Sequence, residues 1–598
     1  MNPRAVPAFT GPRVRGPEFV SGTWFNTESP LTLAGLRGRF VLLDFWTSCC
    51  GNCLHVLDEL RPLEARFHEV LTVVGVHSPK FAHERSDDAV AAAIDRYEVA
   101  HPVLNDPDLQ LWRQYAVKAW PTLVLIDPDG YVIAQAAGEG QVSALAETVA
   151  ALLPSYHVHP GGGPYVARPA APGVLRFPAK AIALPDGSLL VADAGHHQLV
   201  QLDGDEVVRR IGSGRRGRVD GPAETAEFAE PNGLALLPDG VAPFDVVVAD
   251  TANHVLRGVR LDDGAVVATL DLPAALTDVR TITGPIPAVL SPWDVVWWPA
   301  VGRLVVAAAG VHLLLGVDPS TGAACVLAGT TVEGLRDGPA ADGWLAQPSG
   351  LAVDGDKLWF VDAETSALRR LTPQGELHTA VGEGLFDFGH VDGPAASARL
   401  QHPLGVTVLP DGSVAILDTY NGAVRRYDPA ADSVSTLATD LREPSGAVVV
   451  DGDLVVVESA GHRLVRPVPR SESIAGTPQH ADRPVTRIAA GAVTLSVRFT
   501  PAPGRKLDER YGPATRLTVT ASPGDLLIDG GGESTGLTRS LVVANSGTGV
   551  LQVVAQAASC DVDGGGEHPA CYLARQDWGV PVEIASDGPA ELELMLLG

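Results

Sequence analysis

A segment that recurs six times constrains this chain more than any other feature, because the copies occupy more than half of its 598 residues. Each copy starts at or next to a proline and continues into a short apolar strand that ends in an acidic residue or its substitute. The copies recur every 41 to 61 residues, which leaves room for four short strands apiece. This spacing is typical of propeller blades and not of helical solenoid units. The sequence therefore predicts a six-bladed β-propeller over residues 173–490. The copies start at Phe177, Pro231, Pro292, Pro348, Pro403 and Pro444, and the strands end at Asp193, Asp250, Ala308, Asp362, Asp418 and Glu458.

A different pattern precedes the repeats. Residues 40–46 form an apolar run, broken only by Asp44, and predict a buried strand. Cys50-Gly51-Asn52-Cys53 follows, and from Cys53 onward leucines recur at helical spacing. Cys50 therefore lies where a strand passes into the N-terminus of a helix. The unpaired N–H groups and the positive end of the helix dipole favour a thiolate at such a position.

This arrangement resembles the active-site strand, turn and helix of the thioredoxin fold. The resemblance extends to Trp120-Pro121, which precedes another apolar strand, as the cis proline of thioredoxin-like proteins does. It implies an α/β thioredoxin-like domain over residues 14–155. Residues 156–172 contain Gly161-Gly162-Gly163 and several prolines, which predict a linker. Inert thiols or half of a zinc site are the alternatives. A zinc site of four cysteines needs a second Cys-x-x-Cys, and the sequence has none.

The same resemblance implies roles for individual residues. Cys50 is expected to be the exposed nucleophile, and Cys53 the buried thiol that resolves a mixed disulfide. Asp44 is expected to be a buried carboxylate that takes up the proton of Cys53, with a pKa raised by desolvation. Pro121 is expected to align the substrate beside the cysteine pair.

A third sequence pattern begins at Gly491. Period-two alternation and apolar runs separated by turn residues predict an all-β sandwich over residues 491–598. It contains Cys560 and Cys571, which flank a glycine-rich loop. If their Cα atoms lie within about 7 Å, the two residues can form a disulfide and serve as a second redox pair. Two reduced thiols on neighbouring strands are the alternative.

Three repeat copies carry an insert with a shared Asp-Gly-Pro-Ala core. We expect these inserts on one face, where they form with the thioredoxin-like domain a cleft over Cys50 that docks a protein client. Four histidines share one repeat position, four residues beyond the acidic one. They are either a ring of metal ligands or a local packing position, and equivalent positions of a propeller lie far from its axis, which favours packing. The inserts are 219–228, 336–345 and 391–400, and the histidines are His197, His254, His312 and His462.

The domain order resembles the NHL-repeat-containing protein 2 family along nearly the whole chain. Asn253-His254-Val255 matches the Asn-His-Leu of the NHL repeat, and residues 43–57 keep the family's Cys-Cys-x-Asn-Cys motif. Cys49 and Asn52 are then family features. Cys49 is either an auxiliary redox thiol or a small side chain packed where thioredoxins place a tryptophan. The resemblance implies a cytoplasmic protein.

Two functions remain open. One is a cytosolic thiol–disulfide oxidoreductase whose propeller docks a protein client; the other is an interaction scaffold with a vestigial or sensing cysteine pair. Asp44 and Pro121 favour the enzyme, since a scaffold needs neither, and a metal-dependent propeller lyase is a weaker third possibility. No cofactor or metal is expected. A net charge of −27 argues against nucleic acid and membrane partners. Residues 1–20 lack an apolar core, so no secretory signal is expected.

Overall fold

A computed structural model describes residues 14–166, 173–281, 284–467, 474–480, 484–501, 505–507, 513–561 and 571–597. The chain divides into two compact units. One combines Met1–Pro169 with Asp482–Gly598, and the other is Ala170–Ala481. The first unit is therefore discontinuous in sequence, because the repeats are inserted between its two parts. Within the described ranges, no helix is long and apolar enough to cross a membrane.

The thioredoxin-like domain is built on a seven-stranded mixed sheet. Its central strand, Phe40–Trp46, is buried along its whole length and pairs in parallel with Leu71–His77 and antiparallel with Thr122–Ile126. Apolar side chains cover both faces of the sheet, which explains the continuous apolar run. The strands are Val14–Arg15, Trp24–Phe25, Phe40–Trp46, Leu71–His77, Val103–Asn105, Thr122–Ile126 and Tyr131–Ala137; the α-helices are Gly51–Phe67, Asp87–Arg96, Gln110–Gln114 and Val142–Leu152, with 3-10 turns at His83–Arg85 and Leu153–Ser155.

Residues 156–166 belong to this domain and are not a linker, in contrast to the prediction. The Tyr156 hydroxyl donates to Asp127 at 2.9 Å, and the backbone N–H groups of His159 and Val166 donate to carbonyls at 2.8 and 3.0 Å. Glycine and proline content alone does not identify a linker, because the hydrogen-bond partners of this segment lie far away in sequence.

The C-terminal domain consists of two sheets that share one apolar core. It starts before the predicted residue 491, because Thr486–Ala489 pairs in parallel with the last part of Cys571–Ala585. One sheet contains Thr486–Ala489, Arg505–Leu507, Thr515–Ser522, Gly532–Thr535, Gly547–Asp561 and Cys571–Ala585; the other contains Gly491–Thr500, Leu527–Asp529, Thr538–Val543 and Glu591–Leu597, and a 3-10 turn spans Gly524–Leu526.

The C-terminal domain packs directly against the thioredoxin-like domain. Ala119 of the latter is buried in the core of the former, and Leu597 packs in return against the thioredoxin-like core. The Lys118 ammonium donates to the Thr486 hydroxyl at 3.1 Å. The segment that leads into Pro121 is therefore held by residues from the far end of the chain.

The second unit contains six antiparallel sheets, one for each repeat copy. The first strand of each sheet contacts the first strand of the next, and that of sheet 6 contacts that of sheet 1. This is a propeller-like arrangement. Sheet 1 is Pro178–Ala183, Leu189–Asp193, Gln198–Asp203 and Glu206–Ile211; sheet 2 is Pro231–Leu236, Val246–Asp250, Val255–Val259 and Val266–Leu270; sheet 3 is Pro292–Trp298, Arg303–Ala308, Leu313–Val317 and Ala324–Ala328; sheet 4 is Pro348–Asp354, Lys357–Asp362, Ala367–Leu371 and Glu376–Val381, with Gly338–Pro339 at its edge; sheet 5 is Gly405–Val408, Val414–Asp418, Ala423–Asp428 and Ser433–Ala438, with Gly393–Pro394 at its edge; sheet 6 is Pro444–Val450, Asp453–Glu458 and Arg463–Val465.

Shorter elements complete the second unit. Two small pairs lie outside the six sheets, and most connections between second and third strands contain a 3-10 turn. The pairs are Arg280–Thr281 with Gly284–Pro285 and Asp387–Phe388 with Gln479–His480; the helix is Leu272–Ala275, and the 3-10 turns are Ala194–His196, Thr251–Asn253, Ala309–Val311, Ala340–Asp342, Ala363–Thr365 and Thr419–Asn421.

The first strands approach so closely that the residue two positions after the proline of each copy must be small or reach across. A Cβ on Gly350 would lie 2.8 Å from the Cα of Gly405, and a Cβ on Gly405 would lie 2.6 Å from a neighbouring carbonyl. Lys180 and Asp294 occupy the same position in sheets 1 and 3. The Lys180 ammonium lies 2.6 Å from the Leu404 carbonyl oxygen and 3.7 Å from the Asp294 carboxylate. This buried ion pair therefore joins sheets 1 and 3.

Replacing Lys180 by methionine tests this contact. The change leaves the buried Asp294 carboxylate without its cation, so we expect the free energy of unfolding to fall by about 3–5 kcal/mol. The double variant Lys180→Gly with Asp294→Gly places glycine, the residue of the other four sheets, at both positions. Its free energy of unfolding should fall by less than that of Lys180→Met, because no buried charge is left unpaired. Guanidinium unfolding of the full chain, followed by tryptophan fluorescence, measures both. A double variant no more stable than Lys180→Met would contradict the electrostatic role.

Candidate redox site at the Cys50–Cys53 pair

The two cysteines lie at the start of helix Gly51–Phe67, as the pattern predicts. Cys50 is the N-cap residue, and its carbonyl accepts hydrogen bonds from the N–H groups of Cys53 and Leu54 at 3.0 and 3.2 Å. Cys50 is half-buried, Cys53 is fully buried, and both are reduced. Burial raises the pKa of the Cys53 thiol well above its usual value, and a hydrogen bond with the Cys50 side chain adds to this. The pair therefore offers one accessible and one protected sulfur.

Asp44 lies on the central strand, and its charge raises the pKa of the Cys53 thiol. Its side chain is fully buried, and neither carboxylate oxygen has a hydrogen-bond partner among the described residues. Burial raises its pKa to about 7, while His101 lowers the pKa and Glu64 raises it. A carboxyl group with such a pKa can accept and release a proton at neutral pH.

The peptide bond between Trp120 and Pro121 is cis. Trp120 packs in the same apolar cluster as Cys50 and Cys53, so the structure brings this loop to the cysteine pair. The Trp120 indole N–H donates to the Ser78 carbonyl at 2.8 Å, and the Pro121 carbonyl accepts from the Gly138 N–H at 2.8 Å. The loop is thus tied to two other segments of the domain.

Glu84 is a site residue that sequence reasoning missed. Its fully buried carboxylate accepts hydrogen bonds from the Thr47 hydroxyl at 2.7 Å and from the Ser48 hydroxyl at 2.8 Å. It also accepts from the backbone N–H groups of Cys49, Lys80 and Phe81 at 2.9, 3.1 and 2.9 Å. Glu84 therefore fixes the turn that leads into Cys50.

The hydrogen bonds of Glu84 keep its carboxylate charged. Burial alone would raise the pKa of Glu84, but His77 and the donors from Thr47, Phe81 and Ser48 outweigh burial and hold it below the usual value. Charge-assisted hydrogen bonds of this kind are stronger than neutral ones. In the sequence Glu84 stands between His83 and Arg85, in a polar run that is typical of a solvated loop.

Cys49 is buried directly beside this carboxylate. Its N–H donates to Glu84, and its sulfur lies 3.9 Å from the Thr47 hydroxyl. This placement agrees with the packing interpretation of Cys49. Its use as an auxiliary redox thiol stays a prediction.

Cys560 forms a disulfide and is buried. The backbone register places Cys571 directly opposite it in the pair of strands Gly547–Asp561 and Cys571–Ala585. Residues opposite one another in an antiparallel pair have Cα atoms about 4.5–5.5 Å apart, a distance that a disulfide spans. The Cys571 side chain and residues 562–570 lie outside the described part of the chain. The role of Cys560 and Cys571 as a second redox pair stays a prediction.

The four repeat histidines link neighbouring sheets. The Nδ1 atom of each accepts a hydrogen bond from the backbone N–H that precedes the first strand of the following sheet. The histidine of sheet 6 bonds to sheet 1 in this way. The packing interpretation therefore holds for this position, with the contact made between sheets and not within one. The pairs are His197 with Glu230 at 3.2 Å, His254 with Ser291 at 3.2 Å, His312 with Gln347 at 3.1 Å and His462 with Phe177 at 3.0 Å.

The three Asp-Gly-Pro-Ala inserts have a structural role that the sequence did not suggest. In each one the aspartate pairs with a buried arginine on the third strand of a sheet, and the same arginine pairs with the acidic residue that ends the second strand. The regularity of the inserts thus has a local cause, and the cleft over Cys50 stays a prediction. The ion pairs are Arg257 with Asp220 and Asp250 at 2.6 and 2.7 Å, Arg369 with Asp337 and Asp362 at 3.0 and 2.8 Å, and Arg425 with Asp392 and Asp418 at 2.6 and 2.7 Å.

Comparison with known proteins supports this organisation. A family model described as thioredoxin-like matches residues 38–132. NHL repeat-containing protein 2 of Bos taurus is 32% identical over 85% of this chain and 80% of its own length, and that of Gallus gallus is 35% identical over 69% and 62%. Protein SUPPRESSOR OF QUENCHING 1, chloroplastic, of Arabidopsis thaliana is 34% identical over 75% of this chain. The chain spans 46% of that plant protein.

Substitution of Glu84 tests its support of the turn. Glu84→Gln keeps the shape but removes the charge that accepts five hydrogen bonds, so we expect a loss of about 2–3 kcal/mol in unfolding free energy at pH 7. Because the pKa of native Glu84 lies below its unfolded value of about 4.3, this contribution is full above that pH and disappears as the pH falls. The difference between variant and wild type should therefore shrink towards pH 3. Glu69→Gln, at an exposed carboxylate, is the control; a difference independent of pH would contradict the assignment.

Proposed function

Since the chain belongs to the NHL repeat-containing protein 2 family and carries a thioredoxin-like domain, we propose that it is a thiol–disulfide oxidoreductase acting on a disulfide of a client protein. One observation carries this proposal: a half-buried Cys50 and a fully buried Cys53 stand at a helix N-terminus, over a buried Asp44 whose pKa is raised to about 7. A scaffold gains nothing from a buried carboxylate without hydrogen-bond partners, which costs free energy.

The proposed reaction proceeds in two exchanges. The Cys50 thiolate attacks one sulfur of the client disulfide, a mixed disulfide forms, and the first client sulfur leaves as a thiolate that takes a proton from water. Cys53 then gives its proton to Asp44 and attacks the Cys50 sulfur. The second client sulfur leaves, the client has gained two electrons, and Cys50 and Cys53 are joined by a disulfide. An external dithiol reductant restores the pair; the reverse order of steps oxidises a client dithiol.

Pro121 is proposed to align the client chain beside Cys50. Its cis peptide bond and the packing of Trp120 against the cysteine pair support this role. The reaction as written needs no metal or cofactor. We also propose a cytoplasmic location; a disulfide at Cys560 would persist there only in a redox-active or protected pair.

We infer that the second unit is a six-bladed propeller that docks the client, and that the C-terminal domain is a β-sandwich. The cyclic order of contacts among the first strands and the hydrogen bond from Phe177 to His462 support closure of the propeller. Two sheets around a single apolar core support the sandwich. The docking surface for the client is proposed on the inserts 219–228, 336–345 and 391–400 of this unit.

Trapping of mixed disulfides tests the oxidoreductase proposal. Cys53→Ser leaves the nucleophile without its resolving partner, so it should accumulate a mixed disulfide with client proteins; Cys50→Ser should trap none. Both variants should lose disulfide reduction in an assay with a model protein disulfide and a dithiol reductant. Cys325→Ser, at a reduced cysteine of the second unit, is the matched control. An inactive wild-type protein, or equal trapping by both variants, would favour the scaffold.

Substitution of Asp44 tests the proton acceptor. Asp44→Asn should slow turnover at pH 8 by about 10²-fold, because no base then accepts the Cys53 proton. The same variant should be more stable. An unfolded aspartate ionises near 3.9 while native Asp44 holds its proton to about 7, so wild type loses up to about 4 kcal/mol as the pH rises between these values. The variant should therefore match wild type at pH 4 and exceed its stability at pH 8. Turnover equal to wild type above pH 7 would refute the role.

A further inference from the structure

The sheet face beneath the cysteine pair carries a glycine at the position next to Asp44. Asp44 and Gly75 are register partners on parallel neighbouring strands, so their side-chain positions point to the same face of the sheet. Gly75 has no side chain, which leaves space next to the carboxylate. A Cβ on Gly75 would lie 3.2 Å from the Nε2 atom of His101 and 3.0 Å from the Trp46 indole nitrogen. His101 therefore reaches into the space that Gly75 leaves.

His101 is oriented by a second carboxylate. Its ring is almost fully buried, with 3% of the side chain exposed, and its Nδ1 lies 3.1 Å from the Glu64 carboxylate. Because an ionised carboxylate only accepts hydrogen bonds, Nδ1 carries the hydrogen in the neutral ring and Nε2 bears the lone pair. Among the described residues, neither Nε2 of His101 nor the oxygens of Asp44 have a hydrogen-bond partner. Buried polar atoms of this kind are commonly bridged by an ordered water.

We propose that His101 and Glu64 form a proton relay that carries the Cys53 proton from Asp44 towards solvent. The inference rests on the proposed oxidoreductase function. After Asp44 takes the proton of Cys53, the proton passes to His101 Nε2 through a bridging water, and the Nδ1 hydrogen passes to Glu64. The Glu64 side chain is 18% exposed, so Glu64 can return the proton to water. Asp44 is then ready for another exchange, and no electron moves along the relay.

Other titratable groups also lie near this pair. Cys50 and Cys53 are the reacting thiols, His77 interacts electrostatically with the buried Glu84 carboxylate, and the Tyr165 hydroxyl interacts electrostatically with Glu64. Both Glu64 and His101, in contrast, act on Asp44 itself. His101 does not touch the reacting sulfurs, so it is a positioning residue that acts through Asp44.

The test is the pH profile of disulfide reduction by His101→Gln. His101 lowers the pKa of Asp44, so its loss should move the midpoint of the profile upward by about one pH unit, which lowers the rate about five-fold at pH 7 and hardly at pH 9. A purely structural defect would lower the rate equally at all pH values. Gly75→Ala, a smaller change that crowds His101 Nε2, should shift the midpoint in the same direction. In the Asp44→Asn background, His101→Gln should have no further effect on the profile.

His55→Gln is the matched control, because His55 is also buried and its Nδ1 lies 2.6 Å from the Glu139 carboxylate. It should leave the midpoint unchanged. A titration of the Asp44 carboxyl by carbon-13 NMR, with wild type and His101→Gln, gives the same shift without turnover. Wild type that reduces no disulfide refutes the proposed function. An active wild type whose midpoint is unchanged in both His101→Gln and Gly75→Ala refutes the relay alone.

Discussion

Burial of the Asp44 side chain is the constraint on which the first unit depends. The strand that carries it must be buried on both faces, and the helix that starts at Cys50 covers one of them. Burial gives the carboxyl a pKa of about 7, which suits proton exchange with a thiol but costs stability. The surrounding structure offsets that cost with an extensive apolar core and with Glu84, a buried carboxylate that accepts five hydrogen bonds.

In the second unit three buried arginines have charged partners, whereas Asp44 in the first unit has no hydrogen-bond partner among the described residues. Arg257, Arg369 and Arg425 are fully buried, and each is matched by two aspartates and by backbone carbonyls. Paired charges of this kind fix geometry. Among the described residues, neither oxygen of the Asp44 carboxylate has a hydrogen-bond partner, whereas each of the three arginines pairs with two aspartates. This contrast separates the reactive part of the chain from its framework.

The parts of the structure that follow from local patterns could be predicted. The central strand, the helix after Cys50 and the cis peptide before Pro121 depend on residues within a few positions. Glu84 and His101 could not be predicted, because their contacts with Cys49 and Glu64 join segments 35 and 37 residues apart. The sequence does not predict strand Cys571–Ala585 for a different reason, since its polar centre, Arg575 to Asp577, breaks the apolar alternation.

The insertion of the second unit into the first affects the order in which a ribosome can deliver a working site. Ala119, two residues before Pro121, is enclosed by a core whose strands begin at Thr486 and end at Leu597. Translation must pass through all six repeats before those strands exist. In a nascent chain the proline loop therefore lacks its contacts with the C-terminal domain, and these contacts are complete only when the strand Glu591–Leu597 has left the exit tunnel.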